Sequence, residues 1–163
     1  KRLTFRIPVV VRWYSARTLR QAYARLEHLR GNLTEEGLQN FLATEPAYYI
    51  LEVARADKPP YYQVPVPGLS ILAERFRKIT ARELESWQKC TLRVGQNQLA
   101  PAHVVVQQPE KTAVRLAFPR TLDGQPTIPA SVGSVALICK SRYARLRVKF
   151  DLRKMAINGV PDL

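Results

Sequence analysis

Residues 144–153 read ARLRVKFDLR, and this stretch decides the fold class. Ala144, Leu146, Val148, Phe150 and Leu152 alternate with Arg145, Arg147, Lys149, Asp151 and Arg153, the two-residue period of a strand with one face on a core and the other in water. Toward the N-terminus, TLRV, AHVVVQQ, AVRLAF and VALICK form further short runs rich in β-branched residues, separated by Pro, Gly and Asp. Runs of this length and punctuation predict antiparallel strands.

Farther upstream the period changes. Leu19, Ala22, Tyr23, Leu26 and Leu29 recur at helical steps, and Gly31 supplies a left-handed stop. In TEEGLQNFLATE, Thr34 is placed to cap a second helix, Glu35 and Glu36 suit its positive end, Leu38, Phe41 and Leu42 form its apolar stripe, and Pro46 ends it. Residues 3–14 (LTFRIPVVVRWY) read as a strand that becomes buried on both faces, with Pro8 at an edge or bulge, and residues 47–55 (AYYILEVAR) as a central strand. Residues 69–89 carry a helical period through Leu69, Leu72, Ala73, Phe76 and Ile79, and Thr80 with Glu83 forms a capping box for a further helix bearing Leu84 and Trp87. Between these, DKPPYYQVPVPG at residues 57–68 is an extended connection. Its Tyr61 and Tyr62 are candidate partner contacts, and they serve equally well as a cover for the core edge.

Helices thus occupy the first half and strands the second. The expected class is α+β: an N-terminal strand and helices packed on a mostly antiparallel sheet formed largely by the C-terminal half, one domain over residues 1–163. At 163 residues and 46% hydrophobic content, the chain is long enough for a real core.

Charge is the unusual quantity: 26 Lys and Arg against 13 Asp and Glu give +13. Such a field attracts nucleic acid, anionic lipid or acidic envelope polymers without choosing among them, and it also keeps an exported protein soluble. Arg145, Arg147, Lys149 and Arg153 are the candidate polyanion-binding residues. Same-face residues of a strand repeat at roughly 6.5 to 7 Å, comparable to phosphate spacing along an extended single strand. A charged edge strand also discourages edge-to-edge aggregation, so the ladder alone does not name a ligand. Readers of single-stranded nucleic acid interleave exposed aromatics with their cations, whereas Phe150 falls on the apolar side of the alternation. No RNP-like, KH-like or helix-turn-helix signature accompanies the charge.

Two cysteines, Cys90 and Cys139, form a disulfide if the chain is exported and remain buried thiols if it is cytosolic. Two Cys and two His without ligand spacing assign no metal. His28 and His103 sit in no nucleophile or Gly-loop motif, and helix caps explain the Glu35–Glu36 and Glu83–Glu85 pairs, so neither cofactor nor catalytic residue is assigned. A hydrolase would have to assemble a pocket around groups such as His103 or Glu52. No run reaches the roughly 18 to 20 apolar residues of a membrane-spanning helix. A first residue Lys1 fits removal of a signal peptide and equally a trimmed start.

The C-terminal segment RLRVKFDLRKMAINGVPDL, with Phe150, Leu152, Met155 and Gly159 spaced as FxLxxMxxxG, resembles the end of a family of uncharacterised exported bacterial proteins. The opening IPVVVRWYSARTLRQA is similar to theirs, and agreement covers both ends and is weak in the middle. The resemblance implies a periplasmic or extracellular location, a small single domain and no assigned activity. The expected function is a non-enzymatic binding or structural module, acting on protein partners, on further copies of itself or on an anionic envelope polymer. The alternative is a nucleic-acid-binding domain with weak sequence preference.

Overall fold

The computed structural model describes residues 9–55, 87, 89–107, 113–140 and 145–163. The fold is α+β with antiparallel sheets, its helices in the N-terminal half and its strands mostly in the C-terminal half. Strand β1 (Val9–Trp13) leads through α1 (Arg17–Leu29) and α2 (Glu35–Ala43) to β2 (Tyr48–Arg55). There follow β3 (Thr91–Val94), β4 (Asn97–Leu99), β5 (His103–Gln107) and β6 (Ala113–Pro119). Two-residue strands β7 (Thr121–Leu122) and β8 (Gln125–Pro126) precede β9 (Ser134–Lys140) and β10 (Arg145–Asp151), and β11 (Ala156–Ile157) and β12 (Val160–Pro161) close the order.

The long strands divide between two four-stranded sheets, ordered β1-β2-β6-β5 and β10-β9-β3-β4. Alternation puts one face of each sheet into a shared core. Tyr49, Leu51, Val53, Val114, Leu116 and Phe118 come from the first sheet, and Leu92, Val94, Val135 and Leu137 from the second. Trp13 of β1 meets Phe150 of β10 edge to face at 5.3 Å between centroids, which joins the two sheets directly. Burying a Leu or Phe side chain fully contributes about 1.5–3 kcal/mol, and Leu51, Leu92, Leu116, Leu137 and Phe118 all do so.

Local chemistry fixes the connections. Thr34 Oγ1 accepts from the Gly37 amide at 3.1 Å and caps α2. The β7–β8 hairpin turns on Asp123–Gly124 and the β11–β12 hairpin on Asn158–Gly159, all four residues at positive φ, as a type I′ turn demands. The half-buried Arg120 guanidinium lies 4.5 Å over the Tyr49 ring, pairs with Glu45 at 3.2 Å and donates to the Leu163 carbonyl, tying the C-terminal segment to the first sheet. Burial lowers the pKa of Arg120 and raises that of the Tyr49 phenol.

Two expectations are corrected. Among the described residues strand β1 is an edge strand, its three valines only half-buried, because a strand at the rim of a two-layer packing has one face and one edge outside the core. The apolar stripe of α1 is largely open: Leu19, Tyr23, Leu26 and Leu29 are 43–82% exposed. Ala24 is instead the buried residue of α1, which packs beside α2. The readings of Pro8, of Tyr61 and Tyr62, and of the helices over residues 69–89 lie outside the described residues, apart from the helical Trp87 and the exposed Lys89.

Candidate anion-binding face

The outer face of the second sheet follows from its register. Lys140 lies directly opposite Arg145, Ile138 opposite Arg147, and Ala136 opposite Lys149. On the far side of β9, Thr91 faces Ile138 and Arg93 faces Ala136, with Gln98 of β4 opposite Arg93. Every residue in these rows points away from the core, since its neighbours Leu92, Val135, Leu137 and Cys139 are buried. The result is an open face on which Arg145, Arg147, Lys149, Lys140 and Arg93 are all exposed. Neighbouring strands stand about 4.8 Å apart and same-face residues about 6.5–7 Å along a strand, so these cations form a lattice.

Cys90 and Cys139 are joined by a disulfide with their Cα atoms 4.2 Å apart, one step beyond the Thr91–Ile138 pair. Both sulfurs belong to the core side. Lys89 and Lys140, the residues flanking the bridge in sequence, are exposed. At this end the sheet surface dips into a concavity of about 530 Å³ whose lining includes Lys89, Arg93, Lys140, Arg145 and Arg147, with Ile138 and Leu146 between them. Among the described residues no carboxylate lines it. The nearest acid on β10 is Asp151, at the opposite end of the strand, where it accepts from Arg153 Nε at 3.2 Å. The Arg153 hydrogen bond holds the Asp151 carboxyl below the usual carboxylate range, the neighbouring Lys154 charge adding to it.

No known family model, curated protein or solved structure matches the chain.

The ladder residues proposed from sequence therefore divide. Arg145, Arg147 and Lys149 share the open face, whereas Arg153 lies in the turn beyond β10 with its charge engaged by Asp151. Sequence reasoning missed Lys89, Arg93 and Lys140. The alternation in TLRV and VALICK carries the direction of Arg93 and Lys140, but only the pairing of β3 and β10 on either side of β9 places them with the ladder. Phe150 points inward against Trp13, and among the described residues no aromatic side chain lines the concavity.

Other chemically capable groups have their own partners. The buried Glu52 carboxylate lies between Arg115 at 3.0 Å and Arg12 at 3.8 Å, and the Arg115 guanidinium sits 3.9 Å over the Tyr14 ring. His103 Nε2 lies 3.2 Å from the Tyr48 hydroxyl. His28 Nδ1 approaches the Leu33 carbonyl at 2.9 Å, and its Nε2 faces Glu35 at 3.3 Å. Neither Glu52 nor His103 lines the concavity. Among the described residues no cluster of His, Cys, Asp and Glu has the form of a metal site, and no helix is long and apolar enough to cross a membrane.

Proposed function

We propose that this protein is a non-enzymatic exported module of the bacterial envelope or extracellular space that binds an anionic polymer through the outer face of its second sheet. The observation that carries this is the register of that sheet, which sets Arg93, Lys140, Arg145, Arg147 and Lys149 on one open surface. A solvated face needs polar side chains, but it does not need cations of one sign directly opposite each other, an arrangement that lowers stability. A polymer of opposite charge relieves that repulsion and releases its own counterions. The Cys90–Cys139 bridge supports an oxidising compartment, where disulfides persist. The same location is what the resemblance of the chain's two ends implies. Self-association through the outer sheet edges is part of this proposal, since among the described residues β1, β5, β4 and β10 end their sheets.

Nucleic acid without sequence preference is the second reading, favoured by the phosphate-like spacing along β10. It is weakened by the inward turn of Phe150, which leaves this strand no aromatic platform for bases. The test is affinity for heparin, single-stranded DNA and double-stranded DNA across a salt series, with Arg145→Gln/Arg147→Gln/Lys149→Gln beside the parent protein. The proposal expects heparin binding to persist at physiological salt and to collapse in the triple variant. Single-stranded DNA bound more tightly than heparin there would move the nucleic-acid reading to first place. Unchanged affinity in the triple variant would remove the face from the function altogether.

A further inference from the structure

The cations of this face are not spread evenly, and their crowding at one end carries a finer conclusion. Arg145 and Lys140 are directly opposed across β10 and β9. Lys89 comes beside them because the disulfide clamps Cys90 against Cys139, and antiparallel order then brings the residue before the first cysteine toward the residue after the second. Arg147 and Arg93 complete the wall of the concavity, whereas Lys149, in the middle of the same face, takes no part in it. Among the described residues, five cations therefore surround about 530 Å³ with no carboxylate beside them.

An acidic polysaccharide with a single carboxylate per sugar ring would leave most of these cations unpaired at any moment. Adjacent phosphoryl groups on a short chain bring several charges and many acceptor oxygens into the same volume, and Arg and Lys side chains match them by fork and by point charge. We infer that the Lys89–Lys140–Arg145 end of the sheet is a discrete subsite for a compact oligophosphate group, whether a free oligophosphate or a unit of a longer phosphate polymer. This rests on the anionic-polymer proposal and names the chemistry that its strongest point prefers.

The experiment is calorimetric titration of the intact, oxidised protein with inorganic tripolyphosphate, with orthophosphate and with a long-chain polyphosphate at physiological salt. Lys140→Gln and Arg25→Gln, the latter on α1 away from the face, serve as paired variants, their folding checked by thermal melts. Tripolyphosphate is expected to bind at least tenfold more tightly than orthophosphate and within a few-fold of the long chain per site. Lys140→Gln is expected to lose about tenfold, the effect of one charge-assisted hydrogen bond, and Arg25→Gln less than twofold. Tripolyphosphate no better than orthophosphate, or equal losses in the two variants, would overturn the subsite. Heparin binding that persists while tripolyphosphate stays silent overturns the subsite and leaves the wider face standing; silence of both removes both.

Discussion

At the scale of single residues, the opposition of Arg145 and Lys140 is the feature that most separates a binding face from a merely soluble one. Like charges directly opposite on an antiparallel pair are destabilising by a few tenths of a kcal/mol to about 1 kcal/mol. Lys140→Glu should therefore raise the melting temperature at low salt, by about 0.5 kcal/mol of stability, and the gain should fade as salt screens both arrangements. The same substitution should weaken polyanion binding. A lowered melting temperature with intact binding would mean that the pair is structural. At the other end of the strand, Arg153→Gln should return the Asp151 carboxyl toward its ordinary titration range, followed by its side-chain NMR shift. Because folding lowers this pKa, the stabilisation it brings is present above the ordinary Asp range and is lost as pH falls through the folded value.

At the scale of elements, the second sheet is held by its inner residues and by one covalent bond. Leu137 is fully buried between Leu92 and Val148, its cross-strand neighbours, and Leu137→Ala should cost about 3 kcal/mol in chemical denaturation. The disulfide closes a sequence separation of 49 residues, for which the chain-entropy description gives about 4 kcal/mol and typical measurements 2–4. Cys90→Ala/Cys139→Ala should lose that much, and a loss under about 1 kcal/mol would show that strand packing alone holds β3 to β9. Much of this level was legible beforehand. Alternation marked β3, β6, β9 and β10, Thr34 marked the start of α2, and Gly31, at φ +77°, marked the stop after α1. What sequence concealed was pairing. Nothing in VALICK says that β3 and β10 flank it, so Lys89, Arg93 and Lys140 were invisible as neighbours of Arg145. The three- and two-residue strands β4, β7, β8, β11 and β12 are too short for a period to register, although Asp123–Gly124 carries a turn signal of its own. The helical stripe of α1 misled for a different reason: periodicity reports which face is apolar, not whether a partner covers it.

At the scale of the whole molecule, the +13 charge acts as a general field, and the lattice on the second sheet gives that field a place. Neither histidine belongs to the face, His28 lying beside Glu35 and His103 beside Tyr48. Polyanion affinity should accordingly stay flat between about pH 5.5 and 8, the window in which an unperturbed histidine would switch its charge. A steep change across that window would place the binding surface elsewhere.

The most direct test of the central claim is the salt dependence of binding to a single-stranded DNA probe, used here as a uniform phosphate polymer. It compares the parent protein with Arg145→Gln/Arg147→Gln/Lys149→Gln and with Arg17→Gln/Arg25→Gln/Arg30→Gln on α1 and its C-cap, which removes equal charge from another surface. Each phosphate contact contributes about 0.7 to the slope of log affinity against log salt. If the second sheet is the site, the strand variant loses about 2 from that slope while the helix variant stays close to the parent. Equal losses in both variants would contradict it, leaving the charge as a diffuse field with no binding face.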